Sequence, residues 1–305
     1  MAEERLIIHP SLVRQLINAQ FPQWSDLSIK PVQWNGWDNT TFRLGNRMKV
    51  RLPTAARYAA QVEKERRWLP HFAGFLPVRI PVPLALGAPT DKYPFPWSVC
   101  SWIEGDLVSE TNVLDLDRLA TELAQFLTAL YHVPTVSGPG PGPHSFFRGG
   151  SLRVYDSETR ECLARLKGKL DVVTAASVWE TALLSRYEAP AVWVHGDFAP
   201  TNLLVANGSL SAVIDFGCCA VGDPACDLVI AWTLFEGQSR EMFRSAIAAD
   251  QGTWARARGW ALWKALIQVV KQEGPIDKNE WIAQNARRIA DDILSEHKNK
   301  SLAHL

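Results

Sequence analysis

Three polar side chains between residues 195 and 217 have the types and the spacing that phosphate chemistry needs. Asp197 ends the triplet HGD, Asn202 follows five residues later, and Asp215 begins the triplet DFG. Moving a γ-phosphoryl group requires charge neutralisation and alignment of the reactants more than covalent help from the protein. Mg²⁺ ions that bridge phosphate oxygens take hard oxygen ligands on short side chains. The spacing therefore predicts a site for magnesium and a nucleoside triphosphate.

We expect these side chains to have different tasks. Asp215 and Asn202 provide one carboxylate and one amide oxygen as metal ligands. Asp197 lies beside them without binding the metal and accepts a hydrogen bond from the attacking hydroxyl. General-base help of this kind contributes about 10²–10⁴ in rate. His195 is expected to brace the loop by hydrogen bonding.

The chain before residue 104 has the texture of a small β-rich unit. Alternating apolar residues predict a β-hairpin over residues 40–52 with its turn at Gly45-Asn46. A helix is predicted over residues 55–72, and a buried strand over residues 97–103. The helix residues expected to face the sheet are Val62, Trp68 and Leu69.

The chain after residue 105 has a helical texture. Apolar spacing predicts helices over 112–132, 158–171 and 174–188, and over most of the chain after residue 227. Breaks in that last stretch are predicted at Gly237, Gly252 and Gly274-Pro275. Two short strands, at 192–195 and 213–215, are expected to bracket the polar loop that carries Asp197 and Asn202.

The segment 192–228 resembles the catalytic segment of the protein-kinase superfamily, and more closely that of the aminoglycoside phosphotransferase family. That family, which includes macrolide phosphotransferases, shows H-G-D-x-x-x-x-N, then I-D-F/W, then G-D-P-x-x-D-L. This chain has HGDFAPTN, IDFG and GDPACDL at the same spacing. The upstream sequences WDNTTFRL, VRLP and WIEG are also similar to this family.

The resemblance implies an α+β, protein-kinase-like fold with two lobes. A small β-rich N-lobe, residues 1–104, would bind the nucleotide. A larger, mainly helical C-lobe, residues 105–305, would hold the catalytic loop and the acceptor-binding helices. Mg²⁺ is the implied cofactor, and ATP or GTP is the implied phosphoryl donor.

One departure from protein kinases narrows the acceptor. Kinases that act on Ser or Thr residues usually carry Lys two positions after the catalytic Asp, and this chain has Ala199 there. Losing that cation argues against a protein substrate and fits the antibiotic-kinase branch. The chain has no G-x-x-x-x-G-K-[ST] motif, which excludes a P-loop kinase.

The resemblance also implies a basic residue on the third strand, paired with a helical glutamate. Alignment of VRLP makes Arg51 that residue, with Glu65 as its partner and Glu63 as the fallback. An arginine there would clamp phosphates bidentately. The alternative is that Arg51 belongs to a solvated strand face with Arg47 and Lys49.

Two further segments are expected to contact the nucleotide. Residues 35–41 stand in the place of a glycine-rich loop, where Asn39 and Thr40 would cover the phosphates. The strand at 97–103 leads into the linker between the lobes, where backbone groups of Ser101 and Ile103 would bind the base.

The acceptor is less defined by the sequence. A site for polycationic aminoglycosides should be lined with carboxylates, and the acidic residues after the catalytic loop are Asp227, Glu236, Asp250, Glu273 and Asp277. Basic residues are interleaved with them, and each is expected to be a solvated helix charge. The aromatic stretch 254–263 suits either core packing or a larger, more apolar acceptor such as a macrolide.

Three functions are therefore compatible with the sequence. The first is an antibiotic kinase that phosphorylates a hydroxyl, with an aminoglycoside favoured over a macrolide as acceptor. The second is a metabolic kinase of the same fold acting on a sugar or amino alcohol. The third, a non-catalytic nucleotide-binding relative, is disfavoured because all three polar catalytic positions are present.

Composition limits the partners. The 305-residue chain has 32 Lys+Arg and 32 Asp+Glu, and this zero formal charge argues against nucleic acid and membrane surfaces as partners. It contains no apolar run of about 18 residues and no visible secretory signal. Its five cysteines show no metal-ligand spacing. We expect a cytoplasmic protein that binds small molecules; the oligomeric state is left open.

Overall fold

Five antiparallel strands form the sheet of the first lobe. The computed structural model describes residues 5–32, 36, 38–108, 115–271 and 281–302. The strands are β1 (Ile29–Pro31), β2 (Asn39–Leu44), β3 (Met48–Pro53), β4 (Pro83–Gly87) and β5 (Trp97–Ser101). Their order is β1-β2-β3-β5-β4. The predicted hairpin is confirmed as β2 and β3, joined through Gly45, whose φ of +57° favours glycine.

A helix that the sequence analysis did not predict covers the apolar face of this sheet. Helix α1 (Pro10–Gln20) packs Val13, Leu16 and Ile17 against Phe42 and Val50 of the sheet. These residues form a separate hydrophobic core in the first lobe. The alternation of apolar residues along β2 and β3 is therefore satisfied by α1.

The predicted helix over residues 55–72 is confirmed as α2 (Ala56–Ala73), which contacts β3, β4 and β5. Trp68 and Leu69 belong to the core of the second lobe, and the rings of Trp68 and Trp193 are 4.7 Å apart. Phe72 also lies 4.7 Å from the ring of Trp193. Trp68 and Leu69, which were expected to face the sheet, thus contribute to the core of the second lobe.

Seven helices in the described part of the chain build the second lobe. They are α3 (Leu116–Tyr131), α4 (Asp156–Arg165), α5 (Val172–Leu184), α6 (Ile230–Thr233), α7 (Gly237–Ala246), α8 (Gln251–Lys271) and α9 (Trp281–Leu302). The carboxylates of Asp115 and Asp171 cap α3 and α5. Gly252 lies inside α8, so the break predicted there falls before Gln251; Gly274 and Pro275 lie outside the described residues.

Short strands position the polar loop. They are β6 (Asp106–Leu107), β7 (Val192–Val194), β8 (Leu203–Ala206), β9 (Ser209–Val213) and β10 (Ala220–Gly222). β6, β8 and β9 form one sheet, and β7 pairs with β10. The strand predicted at 213–215 ends at Val213, because Asp215 has a left-handed φ of +65°.

Aromatic residues fill the interior of the second lobe. Trp260 is fully buried and Trp263 is 6% exposed, so the aromatic stretch 254–263 contributes mainly to packing. Across the described ranges, no helix combines the length and apolar character needed to cross a membrane.

Candidate active site

The loop after β7 is held by His195, which is fully buried. The N–H of Asp197 donates to Nδ1 of His195 at 3.2 Å, which places the imidazole proton on Nε2. Nε2 in turn donates to the carbonyl of Ile214 at 3.0 Å. His195 therefore connects the backbone at Asp197 with the residue before Asp215. Its contacts are with the protein backbone, as expected for a bracing residue.

The backbone N–H groups of this loop bind a buried carboxylate. Asp227 accepts from the N–H of His195 and from the N–H of Gly196, each at 2.8 Å, and is fully buried. Burial raises the pKa of Asp227. The prediction that Asp227 is a solvated helix charge is therefore wrong. Gly196 is required here, since its φ is +81° and a Cβ would lie 2.4 Å from the carbonyl oxygen of Cys218.

The GDP triplet at 222–224 has a structural role of its own. Asp223 caps a short 3₁₀ turn by accepting from the N–H of Ala225 at 3.0 Å. Its carboxylate also pairs with the guanidinium of Arg256 on α8, with Nε 2.6 Å from Oδ2. Both side chains are buried, and the pair fixes α8 against the segment that leads to Asp227.

Asp197 faces the cleft, with 43% of its side chain exposed. Oδ1 lies 3.1 Å from Nζ of Lys264, a residue of α8. Nδ2 of Asn202 donates to Oδ2 of Asp197 at 3.1 Å and to its backbone carbonyl at 2.9 Å. Desolvation raises the pKa of Asp197, but the nearby positive charges of Lys264 and Arg148 outweigh that effect, so the pKa lies below its ordinary value. Asp197 is therefore a carboxylate at neutral pH.

Arg51 bridges two carboxylates between the lobes. Nη1 donates to Oε1 and Oε2 of Glu65 at 2.8 and 2.6 Å, and Nη2 donates to Oδ1 of Asp215 at 2.6 Å. Arg51 and Glu65 are buried, so the alternative of a solvated strand face does not hold for Arg51. Glu63 is 59% exposed and pairs with Arg66, which excludes it as the partner of Arg51.

The segment expected to cover the phosphates is partly described; Asn35 and Trp37 lie outside the described residues. Asn39 is buried at the start of β2 and Thr40 pairs with Leu52. Asp38, which sequence analysis did not single out, accepts from Nε2 of Gln61 at 3.0 Å. Burial, with the charge of Asp215, raises the pKa of Asp38 to about 6. Its carboxylate therefore lies close to the predicted metal ligands.

The linker predicted to bind the base follows β5. The N–H of Ser101 donates to the carbonyl of Val82 at 2.9 Å, and the Ser101 hydroxyl accepts from the N–H of Val82 at 3.0 Å. The N–H of Ser101 is therefore occupied and is not available to a base. Ser101 and Ile103 both border a cavity of about 340 Å³.

The candidate acceptor acids do not form a patch. Glu236 and Asp250 are exposed, and Glu273 and Asp277 lie outside the described residues. Sequence analysis missed the importance of Lys264, because a lysine on a helix with mixed charges has no distinguishing local pattern. Lys264 follows the buried Trp260 by four positions and so lies on the same face of α8. This spacing is the sequence pattern from which its inward position could have been inferred.

Arg51 and Glu65 of the first lobe thus meet Asp215 of the second, and Asn202 contacts Asp197 on the neighbouring loop. A model of the phosphotransferase enzyme family matches residues 28–260. The chain belongs to this family and is a phosphotransferase enzyme. The resemblance seen in the sequence is thereby confirmed. No curated protein sequence matches the chain.

Solved structures show the same fold at low identity. The GDP complex of aminoglycoside 2'-phosphotransferase-IIIa has a TM-score of 0.71 and 18% identity, with 95% of this chain and 99% of that chain covered. The streptomycin–ATP complex of APH(2")-IIa has a TM-score of 0.59 and 18% identity, covering 94% and 97%. The macrolide 2'-phosphotransferase MphH from Brachybacterium faecium has a TM-score of 0.57 and 19% identity, covering 85% and 91%. The predicted protein-kinase-like fold is confirmed.

Proposed function

We propose that this enzyme transfers the γ-phosphoryl group of ATP or GTP to a hydroxyl of a small molecule of antibiotic size. The observation that carries the proposal is the convergence of Asp197, Asn202 and Asp215 on one cleft, with Arg51 reaching Asp215 from the other lobe. Similar solved structures hold GDP or ATP. These support a nucleotide donor and leave both bases as candidates.

Each side chain has a task in the transfer. Asp197 accepts the hydrogen bond of the acceptor hydroxyl, orients its oxygen toward the γ-phosphorus and takes its proton as the P–O bond forms. The nucleoside diphosphate leaves with the electron pair of the bond that breaks. Arg51, fixed by Glu65, binds phosphate oxygens through its planar guanidinium. His195 and Asp227 keep the loop at Asp197 in place.

The residues present fit a magnesium ion. Nδ2 of Asn202 makes both of its hydrogen bonds to Asp197, which leaves Oδ1 of Asn202 directed away from that residue. Oδ1 of Asp215 already accepts from a cation, the guanidinium of Arg51. Asn202 and Asp215 would hold Mg²⁺, which neutralises triphosphate charge when bound. No cluster of three His, Cys, Asp or Glu suited to a metal occurs among the described residues, in keeping with a site completed by phosphate oxygens.

For the acceptor, sequence analysis favoured an aminoglycoside over a macrolide, and solved neighbours include complexes with aminoglycosides. The charge beside Asp197 supports the reverse preference for this chain, a macrolide over an aminoglycoside. Lys264 lies 3.1 Å from the catalytic carboxylate, and a polycation placed there would meet a like charge. The second candidate function, a metabolic kinase acting on a neutral sugar, would avoid this repulsion.

A coupled assay of nucleoside diphosphate release, with ATP and GTP and a panel of alcohols, tests the proposal. Magnesium-dependent turnover of at least one alcohol is expected. Asp215→Ala should abolish both magnesium-dependent nucleotide binding and turnover, because it removes the carboxylate ligand. Asp291→Ala, an exposed change on α9, serves as the matched control. Full nucleotide binding by Asp215→Ala would contradict the assignment.

A further inference from the structure

Lys49 lies on the cleft face of the first-lobe sheet, two residues before Arg51. Side chains alternate along a strand, so Lys49 and Arg51 project from the same face of β3. Val50, between them, belongs to the hydrophobic core that packs against α1. Lys49 is therefore on the face opposite to α1, from which Arg51 reaches Asp215.

The strand register places Lys49 at the linker end of this face. Lys49 pairs with Cys100 of β5, and Arg51 pairs with Ser98. Residues opposed in antiparallel strands have Cβ atoms about 4.5–5.5 Å apart. Because Cys100 is the second-last residue of β5 and the linker follows that strand, Lys49 lies next to the linker. Arg51 lies farther from the linker, beside the proposed metal ligand Asp215.

The amino group of Lys49 has no hydrogen bond or ion pair among the described residues. The side chain is partly buried. Desolvation and the charge of Arg51 lower the pKa of Lys49, while the charges of Glu65 and Asp215 act in the opposite direction. An ammonium that is removed from water without acceptors is costly. Lys49 thus has unused donors on the cleft face.

The linker has one further unused donor. The N–H of Ser101 is occupied within the sheet, and the N–H of Trp102 donates to the carbonyl of Arg47 at 2.8 Å. Within the ranges that the structure describes, the N–H of Ile103 has no acceptor. A base bound at this linker would therefore meet the N–H of Ile103 and the amino group of Lys49.

Purine bases differ at the edge that a cationic side chain reads. Guanine presents two acceptors, O6 and N7, whereas adenine presents N7 and an amino group that donates. A lysine ammonium only donates, so it can bond to both guanine atoms but opposes the amino group of adenine. Lysine and arginine are the usual protein partners of this guanine edge.

We propose that Lys49 makes this enzyme prefer a guanine nucleotide as phosphoryl donor, by donating to O6 and N7 of the base. The phosphates of ATP and GTP are identical, so contacts of Arg51 with them cannot produce a preference. This inference rests on the proposed function, because it selects between the two donors that the proposed function leaves open. Lys49 is a specificity residue in this assignment and takes no part in phosphoryl transfer.

Three nucleoside diphosphates test which base atoms are recognised. GDP, IDP and ADP are titrated by calorimetry in the presence of Mg²⁺. IDP has O6 and N7 of guanine but lacks its 2-amino group. GDP and IDP are expected to bind with similar affinity, each at least about tenfold more tightly than ADP. Equal affinities for GDP and ADP would overturn the proposal. IDP binding as weak as that of ADP would assign the preference to the 2-amino group and overturn it as well.

Variants test the role of the side chain. Lys49→Met removes the amino group at similar length, and it should weaken GDP binding until GDP and ADP affinities agree within about threefold. Lys92→Met, the same change at an exposed lysine between β4 and β5, should leave the preference intact. Lys49→Arg retains a cationic donor and should retain the guanine preference, which separates base recognition from folding. Equal weakening of GDP and ADP by Lys49→Met would place the side chain at the phosphates and contradict the assignment.

The two proposals fail in distinguishable ways. If neither GDP nor ADP binds with Mg²⁺ and no alcohol is turned over, the proposed function fails, and the role of Lys49 fails with it. If the enzyme phosphorylates an alcohol as efficiently with ATP as with GTP, the proposed function stands and the role of Lys49 is overturned.

Discussion

Nη2 of Arg51 lies 2.6 Å from Oδ1 of Asp215, and this contact joins the first lobe to the second. The same guanidinium binds Glu65 through Nη1, so one cation contacts two carboxylates. If Asp215 holds Mg²⁺ as proposed, the metal would give this carboxylate a second cationic partner, and the guanidinium of Arg51 would be available to bind phosphate oxygens. The contact therefore connects the expected phosphate clamp of the first lobe with the predicted metal ligand of the second.

Removal of this cation should weaken nucleotide binding selectively. Arg51→Ala is expected to lower nucleotide affinity at least about tenfold, because it removes a charged bidentate contact. Acceptor affinity should change less. Titration with a fluorescent nucleotide measures the effect, with Arg47→Ala, an exposed arginine one residue before β3, as the control. A larger loss of acceptor affinity would remove Arg51 from the phosphate site.

Loss of the Asp197 carboxylate should affect the chemical step. Asp197→Ala is expected to reduce kcat at least about 10²-fold, because the hydroxyl loses its proton acceptor and its orientation. Nucleotide affinity should be spared, since Asp197 does not bind the metal in our assignment. Steady-state kinetics together with nucleotide titration separate the two effects. An equal loss of nucleotide binding would show that the role of Asp197 is mis-assigned.

Asp227 is expected to act through the loop that it binds. Asp227→Ala leaves the N–H groups of His195 and Gly196 without their acceptor, at a cost of about 1–3 kcal/mol for each buried group. We expect lower kcat, unchanged nucleotide affinity and a lower free energy of unfolding in urea. Asp227→Asn, which retains one acceptor oxygen, should be affected less; equal damage from both variants would contradict hydrogen bonding as the mechanism.

The attachment of α9 should depend on pH. Glu296 binds Arg244 at 2.7 Å and Arg258 at 2.8 Å, and also accepts from the indole of Trp232 at 3.0 Å. Burial raises the pKa of Glu296, but the hydrogen bonds and charges of the two arginines outweigh it, and the pKa falls below its ordinary value of 4.5. The folded state therefore binds this proton less readily than the unfolded state, and the stabilisation is complete above pH 4.5.

Glu296→Gln is expected to lower the free energy of unfolding at pH 7 by about 3–5 kcal/mol, because it removes one partner of a buried ion pair. The difference from the unmodified protein should shrink as the pH falls below about 4.5. Urea unfolding at several pH values measures it. Glu241→Gln, an exposed partner of the same Arg244, is the control. A difference that does not depend on pH would contradict the ionic origin of the effect.

Local patterns predicted the elements that depend on neighbours in the chain. The β2–β3 hairpin follows from alternation around Gly45, and α2, α3 and α5 follow from helical spacing. Helix ends shifted by several residues where a cap decides them, as at Asp115 and Asp171. The very short strands β6, β8 and β10 were missed, because two to four residues carry too little periodicity.

The sequence by itself identified the side chains that we propose for the chemistry, because the spacing from Asp197 to Asn202 and the DFG triplet are local patterns in one segment. Tertiary structure alone decided what surrounds them. Lys264 reaches Asp197 from 67 positions away, and Arg51 reaches Asp215 across 164. Such contacts depend on how helices and lobes pack, and packing energy is summed over many distant residues that no local pattern records. The ion pairs around Asp197 and Asp215 are therefore a property of the fold.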